Sequence, residues 1–335
     1  MNKLLEVENL TITFSSGKNA PEVVSGVSFQ VNPGEILALV GESGCGKSAS
    51  CLGFTGLLPS PPASVKAGKI IFRSGGETFD LTAASSRKLR RIRGGHIAYI
   101  FQEPTASLNP VMRIGAQIEE VLKLHRPEVK KRKSEVISLL KQVGIVNAET
   151  RFNAYPHELS GGMQQRVMIA MALAGNPELL IADEPTTALD VTVQAQILDL
   201  LDRLRKERNM AVILISHNLG VVSRLADRIA VMYAGKIVET GSAEEVLFSP
   251  FHPYTKALIS AIPVLGGKET RLNTIPGMVP APDNFPQGCR FYGRCSQCSV
   301  LPEKLRRQCA ESVPAETVLN ESHSAWCHAF SGENS

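Results

Sequence analysis

Long apolar runs and a strong charge of one sign are both missing from this sequence. No stretch approaches the roughly 18 apolar residues of a membrane-spanning helix, and the start of the chain is too short and too charged for a secretory signal peptide. The 36 Lys and Arg nearly balance the 32 Asp and Glu, for a net charge of +4. The composition therefore implies no strong field for nucleic acid or membranes, and we expect a chain that stays in the cytoplasm.

The cysteines lack the two C-x₂-C pairs of a zinc ribbon and the common spacings of ferredoxins. Five of the seven nevertheless fall between Cys289 and Cys327, with gaps of five, two, ten and seventeen residues. In a reducing compartment such clustering points to a metal rather than to disulfides.

Internal repeats and low-complexity tracts are absent, and a length of 335 residues suggests roughly two domains. The hydrophobic content of 43% is enough for a core. After Pro263 the composition shifts to Pro, Gly and Cys. This shift predicts one domain over residues 1–265 and a small Cys-rich C-terminal extension over residues 266–335.

The segment Gly41–Ser48 has the sequence GESGCGKS and fits the phosphate-loop pattern GxxxxGK[ST] at every fixed position. An apolar strand is predicted before it and a helix after it, which is the context that the motif requires. Glycines in such a loop let backbone N–H groups turn toward phosphate oxygens. Lys47 would reach the β- and γ-phosphates of a nucleotide, and Ser48 would hold Mg²⁺.

The flanking segments predict an α/β fold. Alternating apolar residues over 4–14 and 23–31 predict an antiparallel β layer with Phe14 at its edge. Between two strands of the core sheet, residues 104–175 predict a mostly helical insert. Its last helix is expected to begin at Ser160, a good N-cap, to be buried along its apolar middle and to end at the Gly175–Pro177 stop signal.

Three further segments have a predicted structure. The helix after the phosphate loop is predicted over Ala49–Leu58. Residues 59–86 predict loops around one strand, Lys69–Arg73, and residues 228–240 predict a hairpin.

Polar side chains follow three of the predicted strands. Asp183 and Glu184 come directly after a buried strand, and Gln102 and His217 follow two others. Because ligands bind at the carboxyl ends of strands in open α/β sheets, we expect these side chains to face one ligand. Asp183 is placed to hold Mg²⁺, and Glu184 to polarise the water that attacks the γ-phosphate.

The segment Leu159–Gln165, LSGGMQQ, lies between the phosphate loop and the acid pair. With those motifs it resembles the signature of the ATP-binding cassette (ABC) superfamily, and the resemblance extends over residues 3 to about 263. It implies that Gln102 is the Q-loop residue, that Ala188–Asp190 form the D-loop, and that His217 is the switch histidine. It also implies that Phe14 stacks on adenine.

The site residues implied by the resemblance form three groups. The catalytic group is Glu184, His217 and Gln102, and the Mg²⁺ ligands are Ser48, Gln102 and Asp183. The nucleotide-binding group is Phe14, Gly41, Ser43, Gly44, Cys45, Gly46, Lys47, Ser48, Ala49, Ser160, Gly161, Gly162, Asp183 and Asp190.

The signature lies at the start of a helix whose free N–H groups and dipole suit an anion. The signature lies on the helical insert, and we expect it to be too far from the chain's own phosphate loop to reach the nucleotide bound there. In the family two cassettes dimerise head to tail, and each ATP lies between one chain's phosphate loop and the other chain's signature. This resembles the completion of a site in trans by an arginine finger.

A narrower resemblance is to the ATPase subunits of bacterial dipeptide, oligopeptide and nickel permeases. It rests on Phe101–Pro110, Tyr155–Glu158, Met232–Gly235, Phe251–Lys256 and the Cys-containing tail. The resemblance implies ATP hydrolysis that powers import of di- or oligopeptides or a related solute, at the cytoplasmic face of the inner membrane. The implied partners are a homologous second ATPase, two transmembrane permease subunits and an extracytoplasmic substrate-binding protein, without nucleic acid.

Family members with a similar tail can hold a four-iron, four-sulfur cluster with four cysteines, which here would most naturally be Cys289, Cys295, Cys309 and Cys327. The chain departs from the family pattern by a longer stretch between the second and third of these and by the extra Cys298. Cys298 is therefore an alternate third ligand. Zinc and unliganded thiols are the other interpretations.

A function of a different class is that of a soluble cassette protein acting on nucleic acid or on the ribosome. Such relatives usually carry a long coiled coil between phosphate loop and signature, or two cassettes in one chain. Here the interval from Gln102 to Ser160 is too short for a coiled-coil arm, and one cassette is present. Both features favour the transporter subunit.

Overall fold

The computed structural model describes residues 3–14, 20–187, 189–261 and 275–330. These residues fall into two compact units. We call residues 72–214, with 3–4 and 31–35, the helical unit, and the other described residues the strand unit. The predicted domain boundary near residue 265 and Ala188 of the D-loop lie outside the described residues.

The strands are β1 (Leu5–Thr13), β2 (Glu22–Val31), β3 (Ile36–Val40), β4 (Ser64–Lys66), β5 (Lys69–Ser74), β6 (Glu77–Asp80), β7 (Ile97–Ile100), β8 (Leu179–Asp183), β9 (Ala211–Ser216), β10 (Arg228–Tyr233), β11 (Lys236–Ser242), β12 (Thr317–Val318) and β13 (Ser324–Ala325). The helices are α1 (Lys47–Phe54), α2 (Ser86–Ile92), α3 (Pro104–Ser107), α4 (Ile114–His125), α5 (Arg132–Gln142), α6 (Ala148–Arg151), α7 (Gly161–Ala174), α8 (Val191–Arg208), α9 (Leu219–Leu225), α10 (Ala243–Phe248), α11 (Pro253–Ser260) and α12 (Glu303–Glu311). Short 3₁₀ turns cover Pro156–Glu158, Pro282–Asn284, Tyr292–Arg294, Ser296–Ser299 and His328–Phe330.

In the strand unit, the apolar strand β3 is buried along its whole length and pairs in parallel with β10. β10 turns back into β11, as the sequence predicted, and β11 pairs with β13 of the C-terminal extension. Strand β1 lies beside β2 and pairs antiparallel with β4. Phe291 of the extension is buried in a core with Val40, Tyr233 and Tyr254, so the extension shares the sheet and the core of this unit.

In the helical unit, β7 pairs in parallel with β8, and β9 neighbours β8 on its other side. Helices α4, α5 and α7 pack on one another, and α7 also packs on β7. The apolar middle of α7 is buried as predicted, at Val167–Ala170, Ala172 and Leu173. A helix that is apolar on every side needs such surroundings.

Two details differ from the sequence prediction. Helix α1 ends at Phe54 rather than at Leu58, because Gly56 takes a left-handed φ of 66°. Strands β4 and β6 lie in a segment predicted as loops around one strand, because their mostly exposed residues give no apolar alternation. Helix α7 ends at the predicted stop signal, where Gly175 has a φ of −73° and the left-handed residue is Asn176, at φ 58°.

The glycine at position 175 is required by packing. A Cβ atom on Gly175 would lie 1.7 Å from the carbonyl oxygen of Gly94. The glycine is thus required by a close backbone approach between α7 and the turn before β7, and Asn176 supplies the turn that ends the helix.

Candidate functional site

The phosphate loop has the backbone that its glycines predict. Gly41, Gly44 and Gly46 have φ values of 149°, 78° and 102°, a region that other residues rarely adopt. A Cβ atom on Gly41 would lie 2.1 Å from the carbonyl oxygen of Met232. The loop is therefore pressed against the end of β10, and its geometry depends on that contact.

Lys47 folds back over the loop at the start of α1. Its ammonium group donates hydrogen bonds to the carbonyl oxygens of Gly41, at 2.8 Å, and Glu42, at 2.9 Å, and the residue is only 5% exposed. These oxygens hold the cation where oxygens of a nucleotide could replace them. Ser43 and Gly44 are exposed, whereas Ser48 and Ala49 are half-buried.

Cys45, inside the loop, is a packed residue. Burial raises the pKa of its thiol, and no part of the residue is exposed. Because the thiolate is the reactive form, this cysteine is a poor target for thiol reagents. Its sulfur accepts a hydrogen bond from Lys47 Nζ at 3.6 Å, and its backbone N–H donates to the carbonyl oxygen of Glu42 at 3.3 Å.

The predicted Mg²⁺ ligand Asp183 ends β8, whose residues are all buried. Tyr99, on the neighbouring strand β7, donates a hydrogen bond from its hydroxyl to Asp183 Oδ2 at 2.9 Å. This contact orients the carboxylate. The sequence prediction missed Tyr99, because its place beside Asp183 depends on the pairing of β7 with β8.

Glu184 and Gln102, predicted as catalytic residues, contact each other directly. Gln102 Nε2 donates to Glu184 Oε2 at 3.0 Å, and the hydroxyl of Thr187 donates to the same oxygen at 3.0 Å. Glu184 also has a φ of 45°, an uncommon value for a residue other than glycine. Such a conformation is a hallmark of functional positions when the surroundings hold it in place.

The signature loop and the D-loop are neighbours. A Cβ atom on Gly162 would lie 2.8 Å from Val193 Cγ1, so the glycine permits close packing of α7 on α8. Asp190 is exposed and accepts a hydrogen bond from the Val193 N–H at 2.9 Å, which caps α8. This structural role stands beside the nucleotide role that the resemblance implies.

Ser160 is exposed at the N-cap position of α7, as predicted, and Gly161 beside it is exposed as well. Contrary to the expectation of a good cap, the Ser160 side chain makes no capping hydrogen bond. The loop is held instead by Gln164, which donates from Nε2 to the carbonyl oxygens of Pro156, at 2.9 Å, and Leu159, at 3.2 Å.

Phe14 and His217 lie at the ends of strands, as the sequence predicted. Phe14 directly follows β1 and is 39% exposed. His217 directly follows β9 and is exposed. Phe14, His217 and the phosphate loop belong to the strand unit, whereas Gln102, Asp183, Glu184, the signature and Asp190 belong to the helical unit.

The five cysteines of the C-terminal extension come together around one small pocket. The lining cysteines are Cys289, Cys295, Cys298, Cys309 and Cys327, with His252 and His328 beside them. All are thiols. Burial raises the pKa of Cys289 and of Cys298 to about 12 and that of Cys327 to about 11, and neighbouring thiols add to each shift.

Five converging thiols are a donor set that suits soft metals and iron–sulfur clusters. Within residues 3–14, 20–187, 189–261 and 275–330, however, no three His, Cys, Asp or Glu side chains are already arranged as a metal site. The sequence predicted the cysteine cluster with Cys298 as an alternate ligand, and the structure places Cys298 at the pocket with the other four.

No helix in the described parts of the chain is long and apolar enough to cross a membrane.

Comparison with known proteins gives consistent results. A family model described as ABC transporter matches residues 24–187, and one described as the C-terminal region of oligopeptide/dipeptide transporters matches residues 238–300. A putative peptide import ATP-binding protein of Brucella ovis is 48% identical over 97% of this chain and 96% of its own length. A dipeptide transport ATP-binding protein of Bacillus subtilis is 44% identical over 98% of this chain and 95% of its own length.

Solved structures agree with the fold. An ATP-binding cassette dimer bound to ADP and Pi has a TM-score of 0.61 and 26% identity, and the match covers 71% of this chain and 98% of that one. A second solved structure is that of cbiO1 of Clostridium perfringens, part of an ABC transporter complex. Its TM-score is 0.62 with 27% identity, and the match covers 74% of this chain and 92% of that one. The predicted α/β phosphate-loop fold with an antiparallel layer and a helical insert is confirmed. The chain belongs to the ABC transporter family and is an ATP-binding cassette ATPase.

Proposed function

We propose that this chain is the ATP-hydrolysing subunit that powers an importer of di- or oligopeptides or a related solute. The observation that carries the proposal is the match of residues 238–300 to the C-terminal region of oligopeptide/dipeptide transporters, in addition to the cassette itself. Relatives named as peptide import, oligopeptide transport and dipeptide transport proteins align over nearly the whole chain.

In the strand unit, the proposed nucleotide ligands are the phosphate loop and the aromatic ring of Phe14. Lys47, held over the loop by two carbonyl oxygens, reaches oxygens of the β- and γ-phosphates. The backbone N–H groups from Gly41 to Ala49 bind phosphate oxygens, and the N-terminal end of α1 favours their negative charge. His217 contacts the γ-phosphate.

In the helical unit, Glu184 is proposed as the base that polarises the attacking water, and Gln102 and Thr187 orient its carboxylate. Asp183 and Gln102, and Ser48 of the strand unit, are each proposed as Mg²⁺ ligands, since carboxylate, amide and hydroxyl oxygens are the donors that this ion prefers. Bound there, Mg²⁺ supplies charge neutralisation at the phosphates. Tyr99 keeps Asp183 oriented.

The signature residues Ser160, Gly161 and Gly162 are proposed to act on a partner's ATP. The exposure of Ser160 and Gly161 at the start of α7 supports this assignment, because an exposed helix N-terminus is an anion-binding surface. The D-loop residue Asp190 is exposed too and is proposed to join the same interface. The partner cassette is proposed to be a homologous second ATPase.

The remaining partners are proposed to be two transmembrane permease subunits and an extracytoplasmic substrate-binding protein. The chain would then sit peripherally at the cytoplasmic face of the membrane. Residues 1–265 form the cassette in this proposal, and residues 266–335 form the extension. Affinity purification from solubilised membranes tests it: a permease, a second ATPase and a binding protein should co-purify, and recovery of ribosomes or nucleic acid instead would overturn it.

The cysteine pocket is proposed to hold a four-iron, four-sulfur cluster. The support is the convergence of five thiols, whose raised pKa values mean that a metal would displace protons on binding. Three of the ligands in this proposal are Cys289, Cys295 and Cys327. The remaining ligand is Cys309, with Cys298 as its alternate.

Iron content and visible absorbance of anaerobically purified protein test the cluster. Cys309→Ser should remove iron, whereas the matched control Cys298→Ser should keep it if Cys309 is the fourth ligand; the reverse result would exchange the two roles. Colourless wild-type protein without iron, purified anaerobically from iron-replete cells, would rule the cluster out.

A further inference from the structure

The phosphate loop carries a negative charge at its second position, where Glu42 follows Gly41. A nucleotide brings several negative charges to this loop. A carboxylate without a counter-charge would repel them, and the repulsion would be strong because Glu42 is only partly exposed to water. The loop therefore needs a compensating cation besides Lys47.

Arg294 of the C-terminal extension supplies that cation. Its Nη1 donates to Glu42 Oε2 at 2.6 Å, and its Nη2 donates to Glu42 Oε1 at 3.0 Å. The side chains are 8% and 28% exposed, respectively. Two parallel hydrogen bonds between a guanidinium and a carboxylate fix both direction and distance, which a lysine at the same place could not do.

The other donors of Arg294 hold the guanidinium in place. Its Nε donates to the carbonyl oxygen of Pro276 at 2.8 Å, and its Nη2 donates to that of Gly277 at 3.1 Å. The guanidinium carbon lies 5.7 Å from the ring centre of Tyr233. Arg294 is thus fixed before any nucleotide arrives, and it transmits its position to Glu42.

The backbone of Glu42 carries this constraint to the residue that binds phosphate. Its N–H donates to the hydroxyl of the fully buried Tyr254 at 2.9 Å. Its carbonyl oxygen accepts from Lys47 Nζ at 2.9 Å. A shift of Glu42 would therefore move one of the two oxygens that hold the lysine.

A second link between the extension and the loop runs through the turn after β10. Arg290 donates from Nη1 to the carbonyl oxygen of Ala234. The next residue, Gly235, donates from its N–H to the carbonyl oxygen of Cys45 at 2.9 Å. The extension thus supports the loop at two places.

We propose that Arg294 is a positioning residue for ATP: it neutralises Glu42 and holds the phosphate loop in its binding geometry. The inference rests on the proposed nucleotide site at Lys47. It gives the C-terminal extension a part in nucleotide binding, exerted through Glu42 and the phosphate loop.

Titration of the full-length chain with Mg-ATP by calorimetry tests this role. Arg294→Ala should weaken ATP binding roughly tenfold, since it leaves a partly buried carboxylate unpaired beside the phosphates. Adding Glu42→Gln to Arg294→Ala should restore most of the affinity, because the repelling charge is gone. The control Arg307→Ala, which removes an exposed arginine of α12, should bind ATP like the wild type.

Steady-state kinetics separates positioning from a role in the chemical step. A lost binding contact raises KM for ATP and leaves kcat within roughly twofold. Arg294→Lys keeps the positive charge but loses the paired hydrogen bonds of the guanidinium. Its KM for ATP should therefore lie between those of the wild type and Arg294→Ala. If Arg294→Ala does not fold, Arg294→Lys alone and combined with Glu42→Gln carries the same comparison.

Two results would overturn the proposal: unchanged ATP affinity in folded Arg294→Ala, or the same loss of affinity whether or not Glu42→Gln is present. Failure of the nucleotide site itself gives a different result. In that case Lys47→Ala would bind ATP as the wild type does.

Discussion

At the scale of single residues, Glu184 combines an uncommon backbone with two side-chain partners. Its φ of 45° is held while Gln102 and Thr187 both donate to one of its carboxylate oxygens. These two hydrogen bonds fix the orientation of the carboxylate. This arrangement suits a group that must accept a proton in a fixed direction.

We predict that Glu184→Gln binds ATP with nearly unchanged affinity and hydrolyses it roughly 100- to 10,000-fold more slowly. The amide keeps the shape of the side chain but cannot accept the proton. The measurement is phosphate release at saturating ATP, together with ATP binding by calorimetry. Glu207→Gln, an exposed change on α8, is the matched control and should hydrolyse ATP normally. Normal turnover by Glu184→Gln would contradict its role as base.

At the scale of secondary-structure elements, an ion pair joins β5, the start of β7 and the start of β8. His96 Nδ1 lies 3.2 Å from Glu178 Oε2, and the hydroxyl of Ser74 donates to Glu178 Oε1 at 2.5 Å. The hydrogen bond to Glu178 raises the pKa of His96 against the effect of burial. Burial raises the pKa of Glu178, but its hydrogen bonds with His96 and Ser74 bring it below its usual value.

The two shifts predict a pH window for this contribution to stability. The raised pKa of His96 gives stability that is present below about pH 6.5 and is lost as pH rises through the folded value. The lowered pKa of Glu178 gives stability that is present above about pH 4.5 and is lost as pH falls. Between these values the pair should contribute at most about 1 kcal/mol, because both side chains are 40% exposed.

We therefore expect His96→Gln to lower Tm most near pH 5.5 and least at pH 8 and pH 3.5, within the range where the protein unfolds reversibly. The reference is His157→Gln, which changes an exposed histidine before the signature. A Tm difference between wild type and His96→Gln that stays constant from pH 3.5 to pH 8 would contradict the ion-pair account.

The parts of the site that the sequence predicted are those with a local pattern. The phosphate loop is contiguous, and β8 is an apolar run that ends in two carboxylates. The contacts that the sequence could not predict depend on which segments meet. Tyr99 reaches Asp183 only through the register in which Tyr99 pairs with Ile181, and Arg294 reaches Glu42 across 252 positions of the chain. Neither contact corresponds to a periodic pattern in the sequence.

At the scale of the whole molecule, the C-terminal extension is more closely tied to the cassette than its change in composition indicates. Its strand β13 pairs with β11, and Phe291 lies in the same core as Tyr233 and Tyr254. Arg294 from the same extension holds the phosphate loop. The extension is therefore an integral part of the unit that carries the loop, and we do not expect it to be removable without loss of ATP binding.

Uptake of a labelled dipeptide and a labelled oligopeptide tests our claim that ATP hydrolysis by this chain powers peptide import. The comparison uses cells that lack the chain, complemented with wild type, Lys47→Ala, Glu184→Gln or the control Arg307→Ala. We predict that wild type and Arg307→Ala restore uptake of at least one peptide and that Lys47→Ala and Glu184→Gln do not. Equal uptake with and without the chain, or full uptake with Glu184→Gln, would contradict the claim.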